Sequence, residues 1–223
     1  MAPTRDVDDL RAKKTRIAIR KAFIQLLCET DFNSISIATL MKRANYSRGA
    51  FYLHYQNIWD VFEELVREYI KDLCAGFDVE RKPDRYNMDE QAYLIVLEVV
   101  KAAKSWYPFG KALLNKRRVP DIMPDLLEQY SWERLKEETI LFPAVGVKYA
   151  DAEDEIARET AMRYCVATLM CMFECAALYV TPNMSYSDMT RLAERIYAGN
   201  VAYWNYEQHM DLHVVKWHEG LEE

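Results

Sequence analysis

The chain has 223 residues, 51% of them hydrophobic and 29% charged, with only six glycines and seven prolines. That composition excludes a collagen-like, low-complexity or disordered chain and leaves room for long helices. The net charge of −6 is unevenly split: residues 1–58 hold ten Lys/Arg against five Asp/Glu, net +5, and residues 59–223 hold nineteen against thirty, net −11.

Residues 1–10, with Asp6, Asp8 and Asp9, read as a mobile tail. A first helix then carries Ile19, Ala22, Phe23, Leu26 and Leu27 on one face, with Lys13, Arg16, Arg20 and Lys21 outside that stripe, and stops near Thr30–Asp31. Ser36 caps a second helix whose apolar positions are Ile37, Leu40, Met41 and Ala44, and Ser47 caps a third. Ile35 with Leu40, and Tyr46 with Phe51, stand at the spacing of hydrophobic staples. The turn Ala44-Asn45-Tyr46 needs one left-handed residue, and Asn45 is the substitute for Gly there. Two short helices joined by so brief a turn form a helix-turn-helix unit.

A fourth helix is capped by Asn57, carries Asp60 in its first turn, and aligns Phe62, Leu65, Val66, Tyr69, Ile70 and Leu73. The polar stretch Gly76 to Asn87, with Pro83, reads as a domain break. It divides a domain of residues 11–75 from one of residues 76–223. Beyond it helices are predicted at about 89–104, 109–116, from Met123 or Pro124 to Phe142, 151–180 and 186–208. Pro124 falls in a first turn, where its missing donor costs nothing. Pro182 separates the last two helices, and Ser185 caps the second of them with Asp188 three residues on. No strand-like alternation and no internal repeat appears, so the fold class is all-α with about nine helices.

The five cysteines, Cys28, Cys74, Cys165, Cys171 and Cys175, include no CxxC pair, so they read as reduced core thiols rather than a disulfide framework or zinc site. No secretory leader pattern opens the sequence, which implies a cytoplasmic location. Tyr164 to Val180 is apolar but carries Glu174, and reads as a buried helix rather than a membrane span. No GxSxG, HExxH, phosphate-cradling glycine loop or Ser/His/Asp constellation is present, which argues against an enzyme. His209 and His213 are four apart with His218 nearby, but a frayed tail explains them better than a metal, and no cofactor is implied.

Function-bearing chemistry concentrates in Phe32 to Tyr55, FNSISIATLMKRANYSRGAFYLHY. From Arg11 to Ile58 nine basic residues face two acidic ones, the polarity of a head that meets phosphate, with a merely solvated surface as the alternative. Ser47, Arg48, Gly49 and Ala50 give the third helix a small, donor-rich tip, as a helix entering a major groove requires. Arg48 is able to pair bidentately with guanine or clamp a phosphate, and the Ala50 methyl to contact thymine. Ser36 and Thr39 open the second helix toward the neighbouring strand.

These residues resemble the DNA-binding segment of the TetR family: a Ser/Thr-capped helix, the turn entry Lys42-Arg43-Ala44, then Ser47-Arg48-Gly49-Ala50-Phe51-Tyr52. Thr15-Arg16 and Ala22-Phe23 match as well, so the resemblance covers about residues 13–65 closely. It implies a helix-turn-helix at about residues 36–55 inside an N-terminal three-helix DNA-binding domain, followed by a larger helical dimerisation and effector domain. The implied DNA-contacting set is Ser36, Thr39, Ser47, Arg48, Gly49, Ala50, Tyr52, His54 and Asn57, with Tyr52 and His54 on backbone phosphates. A core role for Tyr52 and an ordinary surface role for His54 are the alternatives. Two departures stand out: Gln56 and Ile58 replace lysines common in such regulators, and Ala38 stands where an Arg often reads bases. Specificity is therefore expected to concentrate on Arg48 and the first turn of the third helix.

Further along, Ile156, Thr160, Tyr164, Ala167, Cys171, Cys175 and Leu178 share one stripe, and Met189, Leu192, Ala193, Ile196, Tyr197, Val201 and Trp204 another. The resemblance implies a homodimer through the helices at about 151–180 and 186–208, with an intramolecular core as the alternative. It also implies a near-palindromic double-stranded DNA operator and a repressor released by a small-molecule effector. Candidate pocket residues are Trp106, Phe109, Tyr130, Phe142, Tyr164 and Cys171, each equally readable as plain core. The rival reading is a helical protein-interaction module with a degenerate helix-turn-helix.

Overall fold

The computed structural model describes residues 4–75, 88–137 and 155–209, which form nine α-helices and one short 3₁₀ turn with no strand among them. In the N-terminal part these are α1 (Thr4–Glu29), the 3₁₀ turn Phe32–Ser34, α2 (Ile37–Ala44), α3 (Arg48–Tyr52) and α4 (Ile58–Cys74). The body holds α5 (Met88–Ser105), α6 (Phe109–Leu113), α7 (Met123–Glu137), α8 (Glu155–Tyr179) and α9 (Tyr186–His209). One expectation is corrected: the chain is helical from Thr4, so residues 4–10 extend α1 rather than form a tail. The expected break at 76–87, Phe142 and the region after His209 lie outside the described residues.

Every apolar position aligned on the first helix is buried, and so is the whole stripe from Phe62 to Leu73 on α4. Between them sits an aromatic cluster in which Phe32 lies 5.0 Å from Phe62, 6.4 Å from Phe23 and 5.5 Å from Trp59, ring centroid to centroid. In the body α5 packs on α9 and α8, α7 packs on α8, and α4 reaches across to α5 and α7. The break between α8 and α9 falls at Pro182, and a reciprocal cap opens α9: the Asp188 amide donates to Ser185 Oγ at 3.2 Å while the Ser185 amide donates to Asp188 Oδ2 at 3.2 Å.

Head and body are joined by polar ties as well as by packing. The Phe32 amide donates to the Arg118 carbonyl at 2.9 Å, and Arg118 Nε donates to Asp31 Oδ1 at 2.6 Å. Trp106 Nε1 donates to Asp72 Oδ2 at 2.7 Å, and Arg67 to Gln129 Oε1 at 3.1 Å.

At the centre of this junction Tyr69 stacks near Trp106 and Phe109, with centroids 5.7 and 5.9 Å away. Its hydroxyl is buried without a hydrogen-bond partner among the described residues, and burial pushes its pKa up. A Cβ on Gly110 would stand 2.5 Å from that oxygen, so α6 sits this close to α4 only because position 110 has no side chain. Gly110→Ala is expected to destabilise the fold by about 1–3 kcal/mol, read as a lower urea midpoint, despite the better helix propensity of Ala. Tyr69→Phe, which removes an unpaired buried hydroxyl, is expected to be neutral or stabilising in the same measurement.

α8 is apolar on two sides. Among the described residues it is the helix long and apolar enough to cross a membrane by length and composition, over Met162–Tyr179. Met162, Cys165, Leu169, Met172, Phe173 and Ala176 are nonetheless buried in the chain's own core. On the opposite side Ile156, Thr160, Tyr164, Ala167, Cys171 and Leu178 are exposed, and Cys175 is half-buried. The α9 stripe divides differently. Met189, Ala193 and Ile196 are buried within the chain, while Leu192 and Tyr197 are half-buried. The side chains of Val201 and Trp204 lie outside the described ones.

Candidate nucleic-acid interface

The helix-turn-helix is built from capping bonds on either side of one left-handed residue. At the start of α2 the Thr39 amide donates to Ser36 Oγ at 3.1 Å, and the two hydroxyls share a hydrogen bond of 2.9 Å. At its end the Tyr46 amide donates to the Met41 carbonyl and the Asn45 amide to the Lys42 carbonyl, the bond pair of a Schellman ending. Asn45 has φ 61° and ψ 43° and is the one non-glycine residue with positive φ among those described. The next helix opens with the Ala50 amide donating to Ser47 Oγ at 3.3 Å.

Only five residues long, α3 is held by Phe51, which is fully buried with its ring 5.7 Å from that of Tyr55. The staple expected from Tyr46 does not close over it, since Tyr46 remains 41% exposed; the buried partner on this side is Tyr55. Ser47, Arg48 and Gly49 are exposed, and Ala50 is half-buried. Tyr52 is 62% exposed, its ring edge-on to Phe51 at 5.6 Å, which excludes a core role for it. His54 is half-buried beside Tyr55. Arg48 has no acidic partner among the described residues. A Cβ at Gly49 would meet only Ser47 Oγ at an ordinary 3.8 Å, so nothing inside the chain requires glycine at that position.

Asn57 caps α4 through its side-chain oxygen, which accepts from the Asp60 amide at 3.1 Å. Asp60 in turn accepts from the Gln56 and Asn57 amides at 2.7 and 3.3 Å. A carboxylate thus occupies amides that a phosphate would otherwise meet at this helix start.

Much of the basic count in the head is consumed internally. Arg16 forms a fork with Glu64, with Nη2 2.6 Å from Oε2, and Arg20 pairs with Glu68. Arg43 pairs with Glu29 at 2.6 Å. Glu64 is a hub, because it also accepts from the Tyr55 hydroxyl at 3.1 Å. Burial pushes the Tyr55 pKa up to about 12, so it stays a neutral donor across the physiological range, and the bonds to Glu64 raise Arg16 further above its ordinary value. Glu64 thereby ties α1, the end of the motif and α4 together. Sequence reasoning missed it, although Glu64 and Glu68 stand one turn apart beside the apolar stripe of α4, at the spacing that matches Arg16 and Arg20.

The five pocket candidates among the described residues do not gather in one cavity. Trp106 and Phe109 lie against Tyr69 at the head–body junction, and Tyr130 is half-buried in α7. Tyr164 and Cys171 instead line an apolar groove of about 770 Å³ on the outer side of α8 and α9, with Tyr179, Leu192 and Ile196.

No family model matches the chain. An uncharacterised HTH-type transcriptional regulator, YxbF, of Bacillus subtilis (strain 168) is 26% identical over 121 residues, covering 54% of this chain and 31% of that protein. The chain thus spans just under a third of the length of that relative. The solved structure of a TetR-like transcriptional regulator from Rhodococcus sp. RHA1 superposes with a TM-score of 0.50 at 13% identity, covering 84% of this chain and 96% of that one. A TetR transcriptional regulator from Streptococcus agalactiae 2603V gives a TM-score of 0.46 at 23% identity over 85% and 97%. Helix order and turn geometry define an all-helical, helix-turn-helix protein with a helical body. Its fold is that of the TetR regulators, the group its motif resembles.

The turn offers a clean test. Asn45→Gly is expected to leave the thermal midpoint unchanged or slightly raised, whereas Asn45→Ala should cost about 1 kcal/mol and Asn45→Val more, because a β-branched side chain is poorly accommodated at positive φ.

Proposed function

We propose that this chain is a sequence-specific DNA-binding transcriptional regulator of the TetR family, acting in the cytoplasm as a homodimer. In this reading residues 11–75 form the DNA-binding head and residues 76–223 the dimerisation and effector body. The observation that carries it is the tip of α3: Ser47, Arg48 and Gly49 are exposed and capped in a helix-turn-helix, with Arg48 unpaired. A glycine that no internal contact requires suits a backbone that must approach a phosphate chain. Arg48 reads a base or clamps a phosphate, Tyr52 and His54 hold the groove edge, and Ser36 and Thr39 meet the neighbouring strand. Asn57 acts through its exposed amide group, its oxygen being engaged in the cap.

A two-fold partner is what an operator with two half-sites requires. The exposed side of α8, with Ile156, Tyr164, Cys171 and Leu178, is the apolar surface that such a partner would cover. Regulation follows as repression released by a small molecule that favours a state unfit for DNA. The packing of Trp106 and Phe109 on Tyr69 of α4 supports a path from body to head.

The pairing of Arg16, Arg20 and Arg43 favours a second reading, a helical protein-interaction module whose head is too weakly basic for DNA. One experiment separates the two: purified protein is mixed with genomic DNA fragments at moderate salt, and the retained fragments are sequenced. The regulator reading expects a near-palindromic site, bound about 5- to 150-fold more weakly by Arg48→Ala, about 1–3 kcal/mol. No enrichment, with wild type equal to Arg48→Ala, would favour the interaction module.

The dimer surface has its own test. Cys28 and Cys171 are both exposed in the single chain. In the native dimer maleimide is expected to reach Cys28 but to reach Cys171 only after denaturation. Equal native labelling of both would remove the outer side of α8 from the interface.

A further inference from the structure

The pairs Arg16–Glu64 and Arg20–Glu68, each 48 residues apart in sequence and one turn apart on each helix, run in the same sense along α1 and α4. Moving from Arg16 toward the N-terminus of α1 is therefore moving from Glu64 toward the start of α4 at Ile58. Helix side chains tilt toward the N-terminus. Lys13 and Lys14 precede Arg16 on α1 and so stand on the side of it that faces the start of α4 along the chain direction. Both lysines are exposed, and neither has a carboxylate partner among the described residues. They differ in this from Arg16, Arg20 and Arg43, each of which is paired.

The start of α4 itself offers little to an anion. Asp60 holds the Gln56 and Asn57 amides, and positions 56 and 58 carry no lysine. Positive charge at this end of the head must come from another element, and α1 is the helix that brings it there.

We propose that Lys13 and Lys14 of α1 are phosphate contacts to the DNA backbone, supplying from a neighbouring helix the charge that the start of α4 lacks. The inference rests on the DNA-binding reading above and adds a second, sequence-independent contact region to it. Asp6, Asp8 and Asp9 precede the lysines in the sequence and oppose a broad basic field, so the two lysines act as a local contact.

The test measures affinity against salt for the DNA fragment that wild-type protein enriches, and for an unrelated fragment of equal length. Lys13→Gln and Lys14→Gln are each expected to flatten the slope of log K against log salt by about 0.9, and the double variant by about 1.8. At low salt each single variant should lose about threefold or more on both fragments, because a phosphate contact carries no sequence information. Lys21→Gln removes the same charge about 12 Å further along the helix and should keep the wild-type slope. All three positions are exposed and each substitution removes a charge, so an unchanged melting curve shows that folding is not the cause. A double variant with the wild-type slope, or Lys21→Gln flattening it equally, overturns the contact. If Arg48→Ala still loses the enriched site in that case, the regulator reading stands without the lysines. If wild-type protein enriches no DNA at all, both fall together.

Discussion

Five residues do not hold an α-helix in water, because nucleation costs more than a single turn returns. Whatever α3 does therefore depends on the burial of Phe51, which anchors the helix from beneath while Arg48, Gly49 and Tyr52 stay exposed. That burial contributes on the order of 1.5–3 kcal/mol. It is placed by the positive φ of Asn45 on one side and by Tyr55 on the other. Tyr55 is in turn fixed by Glu64, and Glu64 by Arg16. The orientation of a five-residue helix is thus referred, through two hydrogen bonds, to the two longest helices of the head.

The same arrangement explains why the basic count of the head overstates its free charge. Arg16, Arg20 and Arg43 tie helices together, and because their pairs stand at the solvent surface they fix orientation more than they add stability. What remains unpaired among the described residues is a smaller set, Arg48 on α3 and Lys13 and Lys14 of α1 among them. If the head binds DNA as proposed, its selectivity rests on where these few cations stand.

The elements most legible in the sequence were those set by periodicity and caps. Ser36, Ser47, Asn57 and Ser185 each bond an amide in the first turn that follows, and the apolar stripes of α1 and α4 are buried throughout. Asn45 at the turn was legible because few side chains tolerate that conformation. The start of α1 was misread, since three aspartates suggest solvent to a reader counting polarity but are compatible with a helix N-terminus. The Glu64 hub and the Gly110–Tyr69 contact were not legible, because each joins residues far apart in the chain and neither leaves a periodic signal. Pocket candidates chosen by aromaticity fared least well. Aromatic content marks burial of any kind, and here it divides between a junction core and an outer groove.

Taken together, the head supplies one short exposed helix and the outer side of α8 supplies an apolar surface on which a second copy would bring another. The most direct measurement of that account is a hydroxyl-radical footprint on the DNA that the protein enriches. Two protected half-sites related by a two-fold axis, their centres about one helical turn apart or a multiple of it, are the predicted result. A single protected patch without two-fold symmetry, or uniform protection along the fragment, would contradict it.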